Sequence, residues 1–254
     1  MSEDHLLVSI ITVVRDDAAG LERTMDSVAA QDYPCIDYVV VDGASMDGTV
    51  SVIERRRSEV SRWLSEPDGG IYEAMNKGLA AASGDVIGFL NADDYYVDVH
   101  VLERVVAAFD EGLLDAVFGD VAYVSDRAPG RVVRRYRSDR FRPDRLAWGW
   151  MPAHPGLFVR RAMFERVGPF STAYRIAGDF EWIARAFSGP DLRYRYLPSL
   201  LVYMRTGGIS TGGWRNTVLL NREVMRACRE NGIPTNWLKL LSKYPAKMLE
   251  FFAR

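Results

Sequence analysis

Val86-Ile87-Gly88-Phe89-Leu90 runs straight into Asn91-Ala92-Asp93-Asp94, and this stretch decides the fold. The apolar run reads as a strand buried on both faces, the habit of a parallel sheet covered by helices. Its abrupt end in polar residues puts acids at the carboxyl end of the strand, where open α/β sheets bind ligands. Adjacent carboxylates there suit a hard divalent cation, which usually brings phosphate oxygens with it. Tyr38-Val39-Val40-Val41 makes the same move into Asp42-Gly43, and Ala116-Val117-Phe118-Gly119 into Asp120. Acids delivered by separate strands imply one site, so Asp42 and Asp93 are expected to face the same cavity.

Working outward, strand and helix alternate. Leu6 to Val14 is an apolar, β-branched run. From Ala18 to Gln31, Leu21, Met25, Val28 and Ala29 recur at helical spacing. Thr49 to Arg57 reads as a helix, with Ser45 and Asp47 as competing caps, and Trp63-Leu64-Ser65 as a short strand. Ile71 to Ala82 is a helix that Gly84 stops. The first ~95 residues therefore predict a doubly wound parallel sheet. Beyond them the pattern gives a helix at Val99–Phe109, a hairpin from 121–124 and 132–136, and a strand at Leu157–Val159 before the helix Arg161–Val167. A helix at Phe180–Phe187 and a strand at Tyr194–Leu197 follow. Trp214–Glu230 and Asn236–Ala253 read as helices. The fold class is α/β, with a mostly parallel central sheet flanked by helices.

Composition narrows the function. The chain has 254 residues, 48% hydrophobic and 26% charged, with a formal net charge of −2, which gives no global basic field for nucleic acid. Cys35 and Cys228 are too far apart in sequence for metal-ligand spacing, so a reducing, cytoplasmic setting is expected. No signal peptide is visible, and no run approaches the ~20 apolar residues of a spanning helix. No G-x-G-x-x-G follows the first strand, where Val14 to Leu21 offers Gly20 alone. A dinucleotide-dependent oxidoreductase is thereby excluded.

Four motifs in order carry a resemblance: Val8-Ser9-Ile10-Ile11-Thr12; Val39-Val40-Val41-Asp42-Gly43-Ala44-Ser45 with Asp47-Gly48-Thr49; Glu66-Pro67-Asp68-Gly69-Gly70-Ile71-Tyr72-Glu73-Ala74-Met75-Asn76-Lys77-Gly78; and Asn91-Ala92-Asp93-Asp94. Over residues 6 to 210 the chain resembles the inverting GT-A glycosyltransferases of the family 2 type. The resemblance implies a GT-A fold, a nucleotide-diphospho-sugar donor (UDP-linked), and a cytoplasmic enzyme of polysaccharide or glycolipid synthesis. It implies that Thr12, Arg15, Asp42 and Asp68 hold the nucleoside, with Arg15 also placed to meet the pyrophosphate. Asn76, Lys77, Asn91 and Arg205 are further donor contacts, and Arg205 begins a Gly207-Gly208 loop that could close over the diphosphate. Asp93 and Asp94 correspond to the family's metal motif, with Asn91 where the family has an acid, and would hold Mn²⁺ or Mg²⁺ as a Lewis acid on the diphosphate. His154, in His154-Pro155-Gly156, is a third metal candidate. In Gly178-Asp179-Phe180-Glu181-Trp182, Asp179 matches the family's base and Glu181 is the runner-up. Direct displacement at an anomeric carbon needs one such base and no second carboxylate.

Residues 1–212 are expected to form the catalytic domain, with 6–120 on the nucleotide-sugar side and 121–212 on the acceptor side, and 213–254 a helical extension. Arg127 to Arg145 holds eight arginines against two aspartates, and the tail from Trp214 holds eight basic and three acidic residues with an apolar stripe of Trp237, Leu240, Leu241, Tyr244, Met248, Phe251 and Phe252. The arginine run suits an anionic, lipid-linked acceptor, the inner face of an anionic membrane or a solvated loop, and the tail suits a membrane surface, a partner or packing on its own domain; the acceptor is expected to be a glycan or a lipid-linked group. The oligomeric state is left open. The competing expectation is a nucleotide-sugar-binding or scaffolding protein on the same fold that has lost turnover, which Asn91 supports.

Overall fold

The structure is a computed structural model that describes residues 5–125, 128–189, 191–205 and 213–242, the side chains of 128–130 excepted. The Gly207-Gly208 loop and the tail stripe beyond Leu241 lie outside the described residues.

The opening run forms β1 (Val8–Val14), buried along its whole length. Its neighbours are β2 (Ile36–Asp42) and β4 (Val86–Phe89), both parallel to it, and β3 (Arg62–Ser65) lies parallel outside β2. The helices α1 (Ala18–Ala29), α2 (Thr49–Arg55) and α3 (Ile71–Ala81) connect these strands. Leu21, Met25 and Val28 bury the expected stripe of α1, and Asp17 caps it by accepting from the Gly20 N–H at 2.9 Å. This half is the parallel sheet that the alternation predicts.

Among the described residues the full sheet has nine strands. β5 (Tyr95–Tyr96), β6 (Ala116–Ser125), β7 (Ala128–Tyr136), β8 (Leu157–Arg160) and β9 (Tyr194–Arg205) complete the order β3-β2-β1-β4-β8-β6-β9-β5, with β7 beside β6. The helices α4 (Val101–Asp110), α5 (Arg161–Val167), α6 (Gly178–Phe187) and α7 (Trp214–Glu230) pack around it. Residues 237–242 are helical, the described part of the expected last helix.

The second half departs from the parallel pattern in ways that build the site. β8 runs antiparallel between β4 and β6, so its entry lies beside the exit of β4. A 3₁₀ turn at His154–Gly156 occupies that entry. Gly88 faces Phe158 across this pairing, where a Cβ would sit 2.7 Å from the Phe158 ring. β9 is far longer than the expected Tyr194–Leu197 and crosses Pro198 by register shifts against β6. Its end pairs antiparallel with the two-residue β5, Tyr95 opposite Tyr203, which carries Arg205 alongside Asp93. No helix among the described residues is long and apolar enough to cross a membrane.

Candidate active site

A cavity of about 710 Å³ opens at the carboxyl ends of β1 and β4, at the switch between the parallel and antiparallel parts of the sheet. Its lining brings Arg15, Asn91, Asp93, Asp94 and Arg205 together with His154, Arg175, Ile176 and Asp179. Tyr123, Tyr136, Met151, Leu220 and Val224 add apolar and aromatic surface to it.

The acidic turn after β4 separates its two carboxylates. Asp93 takes the left-handed backbone conformation, φ +79°, which Asp tolerates better than most residues at some cost in strain. Its carboxylate is held by two guanidinium groups: Arg23 from α1, and Arg205 at 2.8 Å from the end of β9. Asp94 is buried, and among the described residues its carboxylate accepts no hydrogen bond. Burial, reinforced by the neighbouring Asp93 charge, pushes its carboxyl well above the usual range. The side-chain oxygen of Asn91 is likewise buried without a partner. The Asp94 carboxylate and the Asn91 oxygen, both at the cavity, fit a hard cation or its bound waters, because a desolvated acceptor without a partner is costly.

The expected metal set is not assembled as three protein ligands. The ligand atoms of Asp93, Asp94 and His154 do not come within reach of one another as a group; among the described residues only the exposed Asp32, His100 and Glu103 do, away from the cavity. His154 stacks on Phe89 with ring centroids 5.3 Å apart, and burial lowers its imidazole to about 4. It is a neutral side chain in an aromatic cluster at neutral pH.

The nucleoside set divides. Asp42 is fully buried and does not line the cavity: it accepts from the Ser45 N–H at 3.0 Å and the Ser65 hydroxyl at 2.6 Å, and also from the Ser45 hydroxyl. Expected to share a site with Asp93, it instead ties the end of β2 to the end of β3. Gly43 links it to the rim. A Cβ at Gly43 would lie 2.6 Å from the Asp68 carboxylate and 3.4 Å from Arg15, so the missing side chain lets these two residues converge. Thr12 is buried, donating to the Leu90 carbonyl at 2.7 Å and accepting from the Tyr38 hydroxyl at 3.1 Å. Asn76 pins the Phe170 backbone in both directions, at 2.8 and 2.9 Å. Lys77 bonds the Pro67 carbonyl at 2.8 Å and Glu66 at 2.9 Å. Thr12, Asn76 and Lys77 therefore hold loops in place and do not line the cavity.

Asp179 sits in the first turn of α6. One carboxylate oxygen accepts from the Phe180 N–H at 2.7 Å and the Tyr72 hydroxyl at 3.3 Å. The residue lines the cavity. Burial pushes this carboxyl up from 3.8 to about 6, against the lowering effect of those two hydrogen bonds. Tyr72 reaches across because Gly178 has no side chain; a Cβ there would lie 2.7 Å from the Tyr72 ring. Glu181, the runner-up, pairs with Arg185 at 2.9 Å and does not line the cavity. Trp182 is core, stacked on Phe164 at 4.3 Å. Asp120 is buried, held by Arg135, the Ser138 N–H and the Tyr196 hydroxyl.

Sequence reasoning missed Arg23, Tyr72 and Glu223. Arg23 occurs on an amphipathic helix with nothing local to mark it, and Tyr72 reads as helix core. Glu223 lies on α7 yet binds the backbone just before Asp179.

Comparison with known proteins agrees with this geometry. The sequence model of the family described as "Glycosyl transferase family 2" matches residues 9–168. The chain is 33% identical over 209 residues to the "PGL/p-HBAD biosynthesis glycosyltransferase" of Mycobacterium bovis (strain BCG / Pasteur 1173P2), covering 80% of this chain and 79% of that protein. It is 35% identical over 184 residues to an "uncharacterized glycosyltransferase" of Mycobacterium tuberculosis (strain ATCC 25618 / H37Rv), covering 70% of this chain and 68% of that one. In solved structures the fold is shared with S. aureus TarS 1-349 in complex with UDP-GlcNAc, at TM-score 0.69 and 20% identity, over 87% of this chain and 66% of that one. Mannosyltransferase PcManGT from Pyrobaculum calidifontis, in complex with GDP-Man and Mn2+, matches at TM-score 0.63 and 20% identity, over 88% of this chain and 65% of that one. The chain belongs to glycosyl transferase family 2 and has the GT-A fold, as the four motifs imply.

Proposed function

We propose that this glycosyltransferase moves a sugar from a UDP-linked donor to a hydroxyl of an amphiphilic acceptor, inverting the anomeric centre. The observation that carries the reading is Asp179, a carboxylate that burial raises to about 6 and that lines the same cavity as Asp93 and Asp94. Asp93 and Asp94 would hold Mn²⁺ or Mg²⁺ beside Asn91, and a cation there would act as a Lewis acid on the diphosphate of the leaving group. Arg205 and Arg23 then become counter-charges for the diphosphate, and Arg15 with Asp68 receives the nucleoside over Gly43. The apolar and aromatic surface would take the acceptor, which suits a lipid-linked or aromatic-bearing glycan.

The chemistry assigned to the chain is a single proton transfer. The acceptor oxygen attacks the anomeric carbon, the bond from that carbon to the diphosphate oxygen breaks, and the acceptor proton passes to the carboxylate of Asp179. One base suffices because the displacement is direct. Release of nucleoside diphosphate from UDP-glucose, UDP-N-acetylglucosamine and GDP-mannose, with and without Mn²⁺, tests the reading. Metal-assisted turnover of a UDP-sugar is expected; turnover of none would overturn it.

One observation favours the second reading, a binding or scaffolding protein. Asp93 is already neutralised by Arg23 and Arg205, and Asn91 adds no charge. That protein would bind UDP without releasing it from any sugar.

A further inference from the structure

Outside the proposed catalytic groups, α7 also reaches the cavity. The turn at 175–177 enters α6, whose cap residue Ala177 offers no side-chain cap. The turn leading into it is held instead by Glu223, 46 to 48 residues further along the chain. One of its oxygens accepts from the Arg175 N–H at 2.9 Å; the other accepts from the Ile176 and Ala177 N–H groups, both at 2.8 Å. Three consecutive amides converge on one buried carboxylate, which also complements the positive end of α6. The Ile176 peptide is held from its other side too, since its carbonyl accepts from the Tyr72 hydroxyl at 2.6 Å. Tyr72 is the residue that bonds Asp179. On α7, Leu220 and Val224 flank Glu223 and line the same cavity.

We propose that Glu223 is a positioning residue: by holding the amides of Arg175, Ile176 and Ala177 it fixes the first turn of α6 and the direction in which Asp179 enters the cavity. The inference rests on the reading of Asp179 as the base. It makes α7 part of the working site, although the sequence places this helix in an extension after residue 212. An acid with an ordinary surface role would be exposed or paired to a neighbouring cation; Glu223 is neither, and directs both of its oxygens at one turn of backbone.

The test compares Glu223→Gln with Asp179→Asn in the full chain. Gln keeps the shape and loses the charge and one acceptor. For Glu223→Gln, kcat for nucleotide-sugar turnover is expected to fall about tenfold to a hundredfold, the usual cost of a small misplacement. The affinity for UDP with Mn²⁺ should stay within about twofold of the parent, because the nucleotide end of the cavity is untouched. Amide hydrogen exchange supplies a readout independent of turnover: residues 175–180 should exchange about tenfold faster while β1 and β4 keep their protection. Unchanged exchange at 175–180, or parental kcat, would overturn the inference. Parental turnover by Asp179→Asn would instead overturn the assignment of the base, and the exchange result would still report on the anchor.

Discussion

Replacing Asp179 by Asn should abolish turnover and stabilise the fold together. The oxygen that accepts from Phe180 and Tyr72 is retained by the amide, so the local geometry has no reason to collapse. The proton acceptor is lost, and general-base deletions typically cost about 10²–10⁴ in rate. Stability moves the other way. Burial raises the carboxyl from 3.8 to about 6, so the folded state binds a proton more tightly than the unfolded one. The stabilising contribution of this group is fully present below 3.8 and is lost as pH rises through about 6. At neutral pH the ionised side chain costs the fold at most about 3 kcal/mol, and less to the extent that it borders solvent in the cavity. The neutral amide removes that cost. For a chain of this size a gain of about 1–3 kcal/mol corresponds to a rise of about 2–10 °C in melting temperature near pH 7.5, shrinking toward pH 5. In the parent, kcat/KM should rise through pH 6 and stand at about a tenth of its plateau at pH 5. His154, lowered to about 4 by burial, contributes no step in that window. Differential scanning calorimetry and a pH–rate profile are the assays. A flat profile from pH 5 to 8, or an active Asp179→Asn variant, would refute the reasoning.

Asp94→Asn should lose Mn²⁺-assisted UDP binding by calorimetry and raise the melting temperature of the protein without ligand. Burial and Asp93 raise the Asp94 carboxyl, so this gain too should be largest at high pH and fade as pH falls. Arg205→Ala should weaken UDP affinity about tenfold or more, the scale of one hydrogen bond between charged groups, and free Asp93 from one of its two guanidinium partners. Gly178→Ala puts a methyl 2.7 Å from the Tyr72 ring; overpacking of this kind costs about 1–3 kcal/mol, and chemical denaturation should show it together with a lowered kcat.

Much of the frame is legible from local pattern. The buried strands β1, β2 and β4 announce themselves by apolar, β-branched runs, and the acids that follow β4 do mark the rim of the cavity. What resists reading is non-local. Tyr95-Tyr96 is too short to register as a strand, and Pro198 hides the continuation of β9, so the pairing that carries Arg205 to Asp93 has no sequence signature. Asn76 and Lys77 fall within a family motif, yet both serve the backbone of neighbouring loops. Asp42 follows the same strand-then-acid rule as Asp93 but finds Ser45 and Ser65 within reach and is used up on them. Asp94 finds no such partner. That difference lies in the surroundings of the two acids and distinguishes the buried brace from the group that can serve a ligand.

Titration of the full chain with UDP and with GDP, in Mn²⁺ and in excess chelator, tests the central claim most directly. UDP should bind in Mn²⁺ and lose most of its affinity in chelator, and Asp94→Asn should abolish the difference. No uptake of either nucleotide under any condition, or uptake indifferent to both the ion and Asp94, would contradict a cavity wall built for a cation and its diphosphate.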